Sequence, residues 1–257
     1  GDLVGWSDMT SRQFYEHLCG WGKLTDRVFI WHYVTDFKNL LMPFPNFTAF
    51  VSDTRTYIEN GVKGIFFQGT SFGPGGSDSD LRAWVMAQLL WDPYRNADEL
   101  VNEWMQGIYG KGWKPMRAYF DLIHSRVQPP ENHLHLYDPV TRELWPEETV
   151  EEMDRLHGEA LALAGNDATA LYYIKKSRIA TQFVRYILGT GRLTVKENSY
   201  SPQGNTSTLN DYNTFMDACA EFGITTLREN AFDSILKDLL RQRVETHAVA
   251  TIESEHI

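Results

Sequence analysis

Five side chains stand at or near the ends of two extended runs of this sequence, and their types suit the recognition of a sugar: Trp31, Tyr33, Asp36, Asn39 and Gln68. An aromatic ring offers an apolar face and a polar edge, which matches the mixed C–H and hydroxyl surface of a pyranose. Asp accepts hydrogen bonds, while Asn and Gln both accept and donate, so the set serves either side of a hydroxyl. Each residue also has a plainer use. Trp31 suits a core, Asp36 and Asn39 suit the capping of a turn, and Gln68 suits a loop hydrogen bond. Hydrolysis of a glycoside ordinarily takes two carboxyls flanking the scissile bond. The two strand ends supply only Asp36, so the catalytic residues are unknown from the sequence.

Other arrangements carry less chemistry. His32, inside the first run, reads as a satisfied buried histidine. His133 and His135 alternate but lack a third ligand, so no metal site is expected. Gly73-Pro74-Gly75-Gly76 follows a strand without matching a phosphate-binding signature, and there is no nucleophile elbow. No cofactor is expected. The Glu147-Glu148 and Glu151-Glu152 pairs open a helix and suit its dipole and a solvated face. Asn46-Phe47-Thr48 and Asn205-Thr206-Ser207 match glycosylation acceptors, a triplet that also arises by chance.

The elements that must position the five residues follow from periodicity. Residues 27–34 and 62–69 are short, nearly unbroken apolar and aromatic runs, the mark of strands buried on both faces. Between them lies a helical pattern over 47–60, closed by Gly61. Together they predict a parallel βαβ unit, whose ligand side lies beyond the strand ends. Alternation puts Trp31, Tyr33 and Thr35 on one face and Ile30, His32 and Val34 on the other. Residues 35–46 read as an irregular, partly polar loop.

Nearly everything else reads as helix. Residues 10–22 precede the first strand. From Asp80 onward Leu81, Trp84, Val85 and Leu89 share a face. Asn96 caps the next helix with Glu99 in a capping-box spacing, and Leu100, Trp104 and Ile108 form its stripe. Pro115 opens another helix, Pro146 a fourth, and 168–188 is a long fifth ending at Gly189. Residues 192–208 read as a polar loop with a short strand at 193–196. Helices follow at 212–222 and from a Thr226/Glu229 capping pair to about His247. The last seven residues are expected to fray.

Composition narrows the classes. With 24 Lys and Arg against 34 Asp and Glu, the net charge is −10, and no basic run exceeds two residues. That excludes the electrostatic footprint of a nucleic-acid binder. No run approaches the roughly 18 apolar residues of a membrane span. Cys19 and Cys219 have no metal-type spacing and read as two buried thiols in preference to a disulfide.

Several motifs resemble the bacterial DUF4838 family. They are Ile30-Trp31-His32-Tyr33, Met42-Pro43-Phe44-Pro45-Asn46, Asn60-Gly61-Val62-Lys63-Gly64-Ile65-Phe66, Leu81-Arg82 with Leu89-Leu90-Trp91-Asp92-Pro93, and Tyr109-Gly110. The likeness is good over 27–127 and weaker beyond 130. It implies glycan- or polysaccharide-degrading proteins with a TIM-barrel catalytic domain and a helical C-terminal part. Some relatives are similar to endo-β-N-acetylglucosaminidases, others to α-glucuronidases, and others have no assigned activity. In that frame the two strands are the last of the barrel and Tyr33, Asp36, Asn39 and Gln68 line its rim. The catalytic carboxyls would belong to earlier strands. Relatives often carry a carboxylate where this chain has Phe67, and they are generally exported, which implies a periplasmic or extracellular location.

The resulting expectation is α/β followed by mainly α: terminal βαβ units of an incomplete (β/α)8 barrel over residues 1–80, then a helical domain over 81–257 with a hinge at 129–145. A full barrel takes about 250 residues, so the sequence is expected to be part of a longer reading frame. The expected function is the C-terminal portion of a carbohydrate-active, glycoside-hydrolase-like protein that binds a glycan or polysaccharide without a complete carboxylate pair. The open barrel edge is expected to be covered by a second copy of the chain. The alternative is a non-catalytic helical interaction domain carrying a remnant βαβ unit.

Overall fold

The computed structural model describes residues 9–70, 73–127, 134–189, 192–196, 199–203 and 206–229. The protein is mostly helical with a small two-stranded parallel sheet. Helix α1 (Met9–Leu24) leads into strand β1 (Val28–Tyr33), helix α2 (Phe47–Glu59) and strand β2 (Val62–Gln68). β1 and β2 pair in parallel, with Trp31 opposite Phe66, His32 opposite Phe67 and Tyr33 opposite Gln68. This is the βαβ unit that the two apolar runs predict.

One face of this sheet is covered by α2. His32 Nδ1 lies 2.8 Å from the Tyr57 hydroxyl, and the Phe50 and Phe67 rings meet edge to face. Burial of the imidazole pushes the His32 pKa down to about 4, as fits a satisfied, neutral histidine. The opposite face has no element against it among the described residues. Continuous apolar strands imply two covered faces, and here only one is covered. Among the described residues β1 and β2 pair only with each other.

The helical part follows as α3 (Ser79–Trp91), α4 (Ala97–Tyr109), a 3-10 turn (Gly110–Gly112), α5 (Trp113–Ser125), α6 (Glu147–Ala164), α7 (Ala168–Leu188) and α8 (Thr206–Glu221). Asn96 caps α4, its side chain accepting from the backbone N–H of Asp98 and Glu99. Asp167 caps α7 through the N–H of Ala170. These caps satisfy donors that the helix itself leaves unpaired. Helix α6 packs between α5 and α7, and α7 also touches α4 and α8. The 3-10 turn presses onto α6 so closely that a Cβ on Gly112 would stand 2.7 Å from the Ala160 carbonyl oxygen.

One expectation needs correction. The stretch 192–203 is a β-hairpin, β3 (Arg192–Lys196) pairing antiparallel with β4 (Ser199–Gln203), where a loop with one short strand was expected. The loop after β1 is irregular, as read, and residues 34–45 are buried apart from Lys38. One apolar cluster has members on both sides of residue 80. Leu41, Met42, Phe47 and Phe50 belong to one cluster with Leu81, Leu100, Tyr119, Trp145 and Phe183. Val140 and Trp145, within the expected hinge, are fully buried members of the same cluster. The helix expected from Thr226 to His247 and the C-terminal tail lie mostly outside the described residues.

Among the described residues no helix is long and apolar enough to cross a membrane. Both cysteines are free thiols; Cys219 is buried as expected, whereas Cys19 is only half-buried and donates to Asn60 Oδ1 at 3.1 Å.

Candidate functional site

Strand alternation brings Phe29, Trp31 and Tyr33 of β1 together with Phe66 and Gln68 of β2 on the uncovered face. Their side chains remain open to solvent, with exposures of 71, 63 and 45% for the first three and 55% for Phe66. Trp31 meets Phe66 edge-on at 4.9 Å between ring centroids, and its Nε1 donates to Gln68 Oε1 at 2.7 Å. That bond holds the indole at a fixed angle to the sheet. Past the strand end the strip continues through Tyr33 and Phe37, 5.4 Å apart and nearly perpendicular, to Tyr137. The Tyr137 hydroxyl donates to Glu229 Oε2 at 3.2 Å.

Trp31, Tyr33 and Gln68 therefore meet on one surface, as the period of two requires. Phe29 and Phe66 complete it, and the same alternation could have found them. Tyr137 and Glu229 lie far away in sequence, and nothing local marks them as neighbours of the strand end.

Asp36 and Asn39 are placed differently: both are turned inward and buried. Asp36 Oδ1 accepts from the backbone N–H of Lys38 and Asn39 at 2.8 and 2.7 Å, which is the turn-capping role. Asn39 Nδ2 donates to the Asp138 carbonyl at 2.6 Å. Asp36 Oδ2 is buried with no partner among the described residues. Burial raises the Asp36 pKa to about 7, the Asp138 charge adds to the rise, and the backbone donors oppose it. A carboxyl so placed holds its own loop and has no open side to offer a sugar.

That loop is a junction. Phe37 N–H donates to the Leu136 carbonyl and Glu229 N–H to the Phe37 carbonyl, both at 2.7 Å. Leu40 N–H donates to the Leu227 carbonyl, and Ser77 N–H to the Leu40 carbonyl. Arg82, fully buried, donates to the Phe44 and Ser77 carbonyls and lies over the Phe47 ring. Asn46 donates to the Val34 carbonyl and is half-buried, so its glycosylation triplet belongs to structural packing.

A second concave feature opens where the strands end, on the opposite side of the sheet from Trp31 and Tyr33. It is a crevice of about 350 Å³ between the ends of β1 and β2, the start of α3 and Lys176 of α7. Behind it a buried polar chain runs from Asp78 through Ser177 to His157. Ser177 Oγ lies 3.4 Å from Asp78 Oδ1 and 3.3 Å from His157 Nε2, and His157 Nδ1 lies 2.7 Å from the Met153 carbonyl. These are the residue types of a hydrolytic triad in the wrong order. The carboxylate bonds the serine, the imidazole is oriented by a backbone carbonyl, and Ser177 and His157 lie inside the helical core. The chain is a structural network.

Among the described residues no group of three or more His, Cys, Asp or Glu could hold a metal ion. His135 pairs with Asp138 at 3.3 Å, and His133 lies outside the described residues.

Residues 5–121 match the family model described as Domain of unknown function (DUF4838). The match includes α1, β1, α2, β2, α3, α4 and most of α5, and so bears out the likeness carried by the strand motifs. Neither a curated protein nor a solved structure matches the chain.

Proposed function

We propose, with residues 5–121 belonging to DUF4838, that this chain is the C-terminal portion of a carbohydrate-active, glycoside-hydrolase-like protein. In this reading β1 and β2 are the last strands of a (β/α)8 barrel. The chain supplies sugar-binding residues to the barrel's open end and lacks a complete pair of catalytic carboxyls.

The observation that carries the reading is the bare aromatic face of the sheet. Helices cover the outside of such barrels and the strands' other faces turn inward. Here α2 covers one face, and Phe29, Trp31, Tyr33, Phe66 and Gln68 occupy the other. The indole is braced by Gln68 and presents an apolar plane beside amide and phenol groups, which is what stacking on a pyranose asks for. Asp36 and Asn39 contribute indirectly, by fixing the loop that follows Tyr33. The same reading has the open strand edge covered by a second copy of the chain, because unpaired edge groups beside apolar surface favour pairing.

Binding of oligosaccharides on a glycan array tests this. Trp31→Ala and Tyr33→Ala are expected to weaken any bound glycan about tenfold or more, the scale of losing one aromatic stacking contact. Gln68→Ala, which frees the indole, is expected to have a smaller effect of the same sign. Glycan binding by the wild type that all three substitutions leave unchanged removes the sheet face as the site.

A second reading, a helical interaction domain without carbohydrate chemistry, has one observation in its favour. Trp91 is 92% exposed and stands beside the exposed Leu90 and Tyr94 at the end of α3. Retention of a partner through Trp91, with no glycan bound, would favour it.

A further inference from the structure

The crevice at the strand ends is separate from the aromatic face, because its Val34 and Phe67 walls belong to the side of the sheet that faces α2. Its polar lining is unusual in being left over from the fold. The Thr35, Thr70 and Ser79 hydroxyls line it and have no hydrogen-bond partner among the described residues. Asp80 and Lys176 reach across it and bond each other at 2.6 Å. Lys176 is largely sheltered, its side chain 14% exposed against 41% for Asp80. Asp80 pairs with Lys176, and the Arg82 guanidinium is engaged by the Phe44 and Ser77 carbonyls.

This chemistry selects a ligand class. An acceptor-only carboxylate beside a donor-only ammonium is satisfied by two adjacent hydroxyls, one donating to Asp80 and the other accepting from Lys176. Threonine and serine hydroxyls do both and tolerate either orientation. Val34, Phe67 and Met86 supply an apolar wall. A volume of about 350 Å³ falls at the small end of ligand sites. A free anion would meet Asp80 and a free cation Lys176, so paired charges disfavour both.

We propose that this crevice is a binding site for a single neutral, polyhydroxylated ring, a monosaccharide unit whose vicinal hydroxyls divide between Asp80 and Lys176. The proposal rests on the carbohydrate reading above for its ligand class and is independent of it in location.

The test is isothermal titration of the whole chain with glucose, galactose, mannose, xylose and N-acetylglucosamine, each alone, and with phosphate and acetate as anion controls. At least one sugar is expected to bind. Asp80→Asn and Lys176→Gln are each expected to weaken it about tenfold or more, the loss of one hydrogen bond to a charged group. Trp31→Ala is expected to leave it unchanged. Melting curves within a few degrees of wild type identify folded variants, and Thr35→Val supplies an uncharged third probe. The proposal is overturned if no sugar binds, if the crevice substitutions leave binding unchanged, or if only the anions bind in a Lys176-dependent way. Loss of monosaccharide binding in Trp31→Ala alone would overturn it while supporting the sheet face. Failure of the sheet-face substitutions on the array, with crevice binding intact, would instead reject the proposed role of that face.

Discussion

Protonation of Asp36 is coupled to how firmly the loop after β1 is held. Its folded pKa is raised to about 7 by burial, so the folded state holds this proton more tightly than the unfolded chain does. The stabilisation is complete below the ordinary carboxylate pKa of about 4 and is lost as pH rises through about 7. His32, His124 and His157 act with the opposite sign. Burial lowers each to about 4, so their contribution is present above about 6.5 and is lost as pH falls through 4. Asp36→Asn separates the two effects, because it keeps an acceptor for Lys38 and Asn39 while removing the titration. The stability of the wild type relative to Asp36→Asn, measured by urea unfolding, is expected to fall steadily from pH 4 to pH 8. A difference that stays level over that range means that Asp36 does not titrate there. At this scale alternation made Trp31, Tyr33 and Gln68 readable, because facing is decided within each strand. The inward turn of Asp36 and Asn39 was not, since it depends on segments near 136–138 and 227–229 that arrive from far along the chain.

Periodic elements declare themselves locally, and here they do. The stripe Leu81, Val85 and Leu89, the Asn96 cap and the long run ending at Leu188 all appear where apolar spacing and capping chemistry put them. The hairpin β3–β4 was harder to see, because Ser199-Tyr200-Ser201-Pro202-Gln203 is polar and contains proline. In a two-stranded hairpin both strands are edges, where proline need not interrupt a ladder. Close approaches between elements are equally silent in the sequence, since a glycine that breaks a helix and one that admits a neighbour look alike. Gly112 does the second. Gly112→Ala would drive a methyl into the Ala160 carbonyl and to within 3.0 Å of Ile174 Cδ1, against backbone that cannot yield cheaply. A loss of about 1–3 kcal/mol is expected, read from a lowered urea midpoint. Gly107→Ala, on the same stretch of chain with open space around its Cβ, is expected to be neutral or slightly stabilising. Equal behaviour of the two would remove the steric account.

For the molecule as a whole, the uncovered sheet face and the open strand edges lead to an expectation of self-association. Light scattering is expected to give a mass above one chain that rises with concentration, and Trp31→Ala with Phe66→Ala to lower it. A clean monomer at high concentration counts against the second copy. The βαβ unit and the helical run were legible as separate stretches, because each carries its own period. Their fusion was not, because a shared core is made by contacts between distant segments and leaves no mark in either period. Residues 37–44 hold the only hint, Phe37, Leu40, Leu41, Met42 and Phe44 being too apolar for a surface loop. That junction has a consequence for anyone wishing to borrow the unit. Phe37, Leu40 and Asn39 spend their polar groups on the helical part, so residues 27–69 transplanted into another scaffold would carry an unsatisfied seam with them. The strand–helix–strand piece is no portable cassette: a graft has to bring the segments around Leu136 and Leu227 as well.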